Sequence, residues 1–302
     1  MSSISIGKKS IRVRAGDRVF DIVNGVIMLM VTLAIVYPLY FILISSMSDP
    51  MAVQTGQTMF MPKGINFAGY RAVFEDRRIW ISYRNTIFYT VTGVVINLAV
   101  TLTCAYALTR KSTPGRNIFV FLIVLTMLFD GGMIPRYLIV RGLGLYNTIW
   151  AMLLPRAASV FCILIARTFI QETIPEELYE CAQSEGCSFA RYFFLVVIPL
   201  SPALISILIL NYGTGHWNSF FDAVLYLVNN ELYPLQLVLR DILISSQGNI
   251  NAENPEILQE LIARSETVKY TIIIFASLPV LVVYPFLQKY FIRGVMIGAI
   301  KG

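Results

Sequence analysis

Six stretches of predominantly apolar residues, each about as long as a bilayer is thick, constrain this 302-residue chain more than any other feature. They run approximately over 22–46, 85–108, 117–135, 148–166, 192–221 and 270–287. With 56% hydrophobic and only 14% charged residues, and a mean hydropathy of +0.67, the composition excludes an ordinary soluble domain. A bilayer-spanning helix needs about 20 mainly apolar residues, so the expected fold is all-α and polytopic with six transmembrane helices. The third stretch is interrupted by Asp130, Gly131 and Gly132, and the fifth is long enough to end in an unwound or re-entrant piece.

Basic residues orient the spans. Lys8, Lys9, Arg12, Arg14 and Arg18 precede the first span, Arg110, Lys111 and Arg116 fill the short second-to-third loop, and Arg191, Lys289, Arg293 and Lys301 fall on the same side. The Lys and Arg of the other side are spread over much longer loops. The density predicts both termini in the cytoplasm, and the net charge of +6 reads as a topology signal rather than as nucleic-acid binding. The first apolar stretch is too long for a cleavable signal and lacks a small-residue cleavage pattern.

Several chemistries find no support. The four cysteines include no CxxC, and Cys181 and Cys187 fall on the reducing side, which argues against structural disulfides. His216 is the only histidine and is read as an interfacial residue rather than a metal ligand. No GxxxxGK[ST] phosphate loop and no GxSxG elbow occurs, so no catalytic residue, cofactor or metal is assigned to this chain. If it drives uphill transport, another subunit supplies the energy.

The segment 180–202, ECAQSEGCSFARYFFLVVIPLSP, is a charged, glycine-punctuated loop between two apolar spans. Thr173 and Glu176 have capping-box spacing and Pro175 suits a first helical turn, so a helix is expected to begin near Ile174. Gly186 suits its C-terminal stop, and Ser188 suits the cap of a second helix leading back into the bilayer. The product is an elbow able to lie across the membrane surface and fit a groove on a soluble partner.

That segment resembles the cytoplasmic loop of permease subunits in binding-protein-dependent ABC importers, with Glu180, Ala182, Gly186 and Pro199 in register; Cys181 stands in place of an alanine and Glu185 in place of an aspartate. The resemblance extends from about residue 65 to the end. FDGGMIPRYLIVRGLGLYNTIWAMLLP is similar to the third-to-fourth-span connection of carbohydrate permeases, Trp217 and Asn218 to a Trp-Asn pair at the outer end of their fifth span, and IRGVMIGAIKG to the tail of the maltose-type second permease. GGMIP and YPLQLVLR look most like the group importing complex oligosaccharides, some built from uronic acids of alginate or pectin type.

The resemblance implies a type I importer (MetI-like) permease fold in a bacterial cytoplasmic (inner) membrane. A basic tail would occupy 1–20, a permease domain 21–291 and a C-terminal tail 292–302. It implies pairing with a second, homologous permease and two ABC ATPase subunits that bind ATP and Mg, and delivery of the sugar by an extracytoplasmic solute-binding protein. In that scheme Glu177, Glu180, Cys181, Ala182, Glu185, Gly186 and Pro199, within a loop of about 170–192, couple to the ATPase. Gly294, Gly298, Lys301 and Gly302 form a tail at the same interface, and the outer loop of about 228–269 meets the binding protein.

Polar residues within the spans are candidates for a substrate path, because charge in hydrocarbon is expensive and faces protein or water. Arg156 reaches either a cavity or the outer headgroups; the residues alone leave both open. Asn97, Asn211 and Tyr212 line a cavity or bond neighbouring helices, and Trp217 and Asn218 stand at the outer mouth. The rival readings are an ion-coupled secondary carrier, which calls for inverted repeats and paired intramembrane carboxylates, and a non-transporting membrane scaffold.

Overall fold

A computed structural model describes residues 15–248 and 268–285, and among these every regular element is helical. The chain opens with α1 (Ala15–Ser46), a single long helix whose apolar side chains are exposed from Val19 to Tyr40. Two short helices, α2 (Pro50–Gln54) and α3 (Ala68–Glu75), lead to α4 (Arg77–Thr109), the spine of the bundle. Asp76 caps α4, accepting from Arg78 N at 2.9 Å. The hydrogen bonds from the Arg78 guanidinium hold the Asp76 carboxyl below its usual range.

Beyond α4 the spans are bent. α5 (Arg116–Leu128) and α6 (Met133–Gly142) meet at 116°, where the Asp130 carboxylate accepts from Gly132 N at 3.0 Å and replaces the helical ladder with a turn. α7 (Trp150–Leu153) and the 3-10 turn Leu154–Arg156 meet α8 (Val160–Thr173) at 50°. α9 (Glu176–Ser184) crosses to α10 (Phe189–Tyr192), which continues through a π-helical turn at Phe193–Val197 and α11 (Ile198–Leu200). α12 (Pro202–Trp217) follows at 83°, and the break at Ser201 has a plain cause: Pro199 and Pro202 remove backbone donors on both sides of it. Then come α13 (Phe221–Tyr226), a 3-10 turn at Asn230–Leu232, α14 (Leu235–Gly248) and α15 (Val268–Pro285).

Three helices are long and apolar enough to cross a membrane, Arg18–Ser46, Arg77–Thr109 and Val268–Pro285; counting each bent pair as one span gives six among the described residues. Three of the six expected stretches are therefore bent pairs, the third at the expected interruption by Asp130, Gly131 and Gly132. The fifth breaks in its middle, at Ser201, rather than at its end.

α4 carries the packing. Its C-terminal half buries Leu102, Ala105 and Tyr106 against Cys162 and Ala166 of α8, Tyr192 and Phe193, and Leu204 and Leu208 of α12. Its N-terminal half buries Ile79 with Val73, Trp217, Leu235, Leu239 and Ile272, and Tyr89 with Met152, Leu153, Ala223 and Leu227. Between 228 and 269, the described part is thus largely packed: the 14-residue α14 buries Leu235 and Leu239 instead of forming a solvated link. Asn147 stitches the third-to-fourth connection to this region. It adopts a positive φ of 57°, donates its N–H to Tyr226 O at 2.8 Å and accepts from Val228 N and Asn229 N at 2.9 and 2.8 Å.

Candidate functional site: an exposed elbow and a buried polar node

The elbow starts two residues later than the capping-box spacing suggests. Thr173 is the last residue of α8, so its hydroxyl does not cap α9; Pro175 occupies the N-cap position without a side-chain hydrogen bond. Glu176 and Glu177 fill the first turn of α9, where negative charge opposes the exposed N–H groups. Gly186 ends the helix as expected. Its φ is +79°, its N–H reaches Gln183 O at 2.9 Å and Cys187 N reaches Ala182 O at 2.9 Å. Open space surrounds the position a Cβ would occupy, so the demand for glycine is conformational rather than steric. Ser188 then caps α10, its Oγ accepting from Arg191 N at 3.3 Å.

α9 is two-faced. Tyr179 and Ala182 pack against the bundle, while Glu177, Leu178, Glu180, Cys181 and Glu185 are exposed. None of Glu177, Glu180 and Glu185 takes part in an ion pair among the described residues. The inner end is held by Lys111 to Glu176 and by the Arg110 guanidinium, 3.8 Å from the Tyr179 ring centre. A cavity of about 280 Å3 lies between α9 and the ends of α4 and α8. Pro199 is not on the elbow's outer face; it lies in α11, past the π-helical turn.

The opposite half of the bundle holds a polar node. The Arg156 guanidinium pairs with Asp222 of α13 and donates from Nη1 to Gly215 O at 3.1 Å. Asn97 of α4 donates from Nδ2 to Arg156 O, and its Oδ1 accepts from His216 Nε2 at 2.8 Å. Gly93 makes room for that ring: a Cβ there would stand 2.4 Å from His216 Nε2. Below it Tyr212 and Thr101 share a 2.6 Å hydrogen bond, and Ser159 N donates to Tyr212 Oη at 3.3 Å, tying the α7–α8 break to α12. His216 is 3% exposed, so it is an interior residue and not the interfacial one its position suggested.

Asn97 and Arg156 are thus brought together in one network, and Tyr212 lies beside it, bonded to Thr101 and to Ser159 N. Asn211 stands apart, accepting from Cys162 Sγ at 3.4 Å. Trp217 turns away, donating from Nε1 to Ala276 O of α15 at 3.0 Å, and Asn218 donates back to Thr214 O at the end of α12. Gly294, Gly298, Lys301 and Gly302 lie outside the described residues. Among the described residues no cluster of His, Cys, Asp and Glu is arranged to hold a metal ion. Asp222, Gly93 and Arg110 were not singled out from the sequence. For Asp222 a signal existed, because an arginine inside an apolar span calls for a carboxylate.

Comparison with known proteins shows the family and the fold. Residues 116–297 match the family described as "Binding-protein-dependent transport system inner membrane component". Protein LplC of Bacillus subtilis (strain 168) is 38% identical over 94% of this chain and 96% of its own length. The polygalacturonan/rhamnogalacturonan transport system permease protein YtcP of the same organism is 35% identical over 95% and 99%. A solved chain from a bacterial ABC transporter involved in the import of the acidic polysaccharide alginate superposes with a TM-score of 0.84 at 34% identity, over 93% of this chain and 100% of that one. This chain belongs to the family of inner-membrane components of binding-protein-dependent transport systems, with the MetI-like permease fold of an ABC importer.

Proposed function

We propose that the chain is one of two homologous permeases in an ATP-driven importer and carries a uronate-containing oligosaccharide delivered by an extracytoplasmic binding protein. The observation that carries this reading is similarity over more than nine-tenths of the chain to relatives named for rhamnogalacturonan and alginate, both acidic polymers. Two partner ATPases bind and hydrolyse ATP. Both termini, 1–20 and 292–302, lie in the cytoplasm on either side of the permease domain, α9 faces that side, and the tail beyond Arg293 adds to the ATPase interface.

The exposed acidic face of α9 supports the coupling role, since Glu177, Glu180 and Glu185 have no ion-pair partner among the described residues and Gly186 fixes the elbow's angle. ATP binding draws the ATPases together and carries α9 with them, turning the cavity from inward- to outward-facing as the binding protein opens. The substrate path runs past the polar node. Arg156 is 40% exposed and, after binding Asp222 and Gly215 O, retains N–H groups for a sugar carboxylate. Asn97 and Tyr212 hold that wall in place, Asn211 and Asn218 offer exposed amides, and Trp217 backs the wall from α15.

The test is uptake into proteoliposomes containing this chain with its partner permease, the ATPases and the binding protein. Oligogalacturonate should accumulate only with ATP and binding protein together, and at least about tenfold faster than a neutral glucan of equal length, a difference of roughly 1.4 kcal/mol. Uptake driven by an ion gradient without ATP would contradict the importer assignment; equal uptake of the neutral glucan would contradict the acidic substrate.

A further inference from the structure

The end of α4 meets the elbow through one residue that no motif marks. Arg110 follows the last residue of α4, and its guanidinium carbon lies 3.8 Å from the ring centre of Tyr179 on α9, 4.6 Å from that of Tyr106 on α4 and 5.1 Å from that of Tyr192 on α10. Its Nη2 donates to Tyr106 Oη at 2.9 Å, and Tyr106 Oη donates in turn to Phe189 O at 3.2 Å. Arg110 takes part in no ion pair among the described residues, and its Nε is buried without an acceptor. Three aromatic faces do the work that a carboxylate would do elsewhere, and partial burial strengthens each of them. The rings brace one another: Tyr179 stacks on Phe189 at 5.6 Å and meets Tyr192 edge-on at 5.2 Å.

We propose that Arg110 is the joint between the elbow and the bundle, a positioning residue that transmits movement of α9 into α4. The inference rests on the reading of α9 as the ATPase-coupling helix. Two features separate a joint from ordinary packing. First, the cavity of about 280 Å3 beside it, lined by Arg110, Tyr179 and Tyr192 among others, leaves α9 only partly seated on the bundle, so the clamp bridges a gap. Second, α4 is one unbroken helix from Arg77 to Thr109, while the spans on either side of the elbow are bent. A displacement at Arg110 therefore reaches Asn97 of the polar node, thirteen residues and about 20 Å along the same rigid element. An arginine suits the position because its planar, permanently charged group stacks on several rings at once; a lysine keeps the charge without the plane.

The experiment measures sugar transported per ATP hydrolysed by the complete importer in proteoliposomes. Arg110→Met and Tyr179→Leu should each lower that ratio about tenfold, within the range of ordinary coupling between sites. Arg110→Lys should fall between Met and the native residue, and Tyr179→Phe, which keeps the ring face, should stay within about twofold of native. A native ratio in Arg110→Met would overturn the proposal, as would a fall in Tyr179→Phe equal to that in Tyr179→Leu. Should Arg110→Met fail to insert, a native ratio in Arg110→Lys overturns it equally. Glu180→Lys, on the exposed face of α9, separates the two levels of the argument. If Glu180→Lys uncouples while Arg110→Met does not, only the joint is wrong; if Glu180→Lys leaves the ratio unchanged, the coupling role of α9 itself fails.

Discussion

The elbow and the polar node use the same kinds of residue to opposite ends. At the elbow Glu177, Glu180 and Glu185 are exposed and take no partner from the described chain, although Glu176 beside them is tied to Lys111. At the node the buried side chains of Asn97, His216 and Asp222 are all bonded within the bundle, Asn97 to His216 and to Arg156 O, and Asp222, only 8% exposed, to the Arg156 guanidinium. Glycine divides the same way. Gly186 is needed for its backbone angle in open space, and Gly93 for the room it leaves to an imidazole. Polar groups left open on a short helix ended by Gly186 suit an external partner, whereas polar groups closed on one another fix where helices sit.

The sharpest way to break that comparison is the same substitution at both glycines. Gly93→Ala would bring a methyl group to 2.4 Å from a buried ring that is hydrogen-bonded to Asn97, so it should cost about 2–3 kcal/mol and lower the temperature at which the detergent-solubilised protein loses its monodisperse peak. Gly186→Ala meets no atom and should cost only about 1 kcal/mol, from the left-handed backbone angle. Equal losses would erase the distinction between a steric and a conformational requirement.

The ion pair gives a second contrast of comparable size. Arg156→Gln leaves Asp222 buried with its charge uncompensated and should cost about 3 kcal/mol, whereas the double variant Arg156→Gln with Asp222→Asn should recover most of that loss in the same heating assay. Charge removal at exposed Glu180 should change stability by no more than about 0.5 kcal/mol. If the double variant is no better than the single one, Arg156 acts through something other than Asp222.

The two regions also differ in how far the sequence revealed them. The elbow is written in local spacing, so Gly186 and the Ser188 cap were legible, and only the Thr173–Glu176 box failed, because α8 runs on through Thr173. The interruption of the third span was legible too, since Asp130 and two glycines cannot continue a helix. The break at Ser201 had its signal in the Pro199–Pro202 pair, but apolar length alone reads that region as one span. The node was not legible. Its partners lie 59 and 119 positions apart along the chain, so no window of sequence pairs Asn97 with Arg156 or with His216. A lone histidine among aromatics reads as interfacial until the fold places Gly93 against it.

Cys181 tests the central claim, that the outward face of α9 is a cytoplasmic contact for an ATPase, because it is a native exposed thiol on that face, while Cys162 is 1% exposed and serves as an internal control. Site-resolved labelling with an impermeant maleimide should leave Cys181 unmodified in intact cells, modify it rapidly in permeabilised membranes containing the permeases without ATPases, and slow that reaction about tenfold or more once the ATPases are assembled, equivalent to roughly 1.4 kcal/mol of protection. Labelling from outside intact cells, or an equal rate with and without the ATPases, would contradict the account.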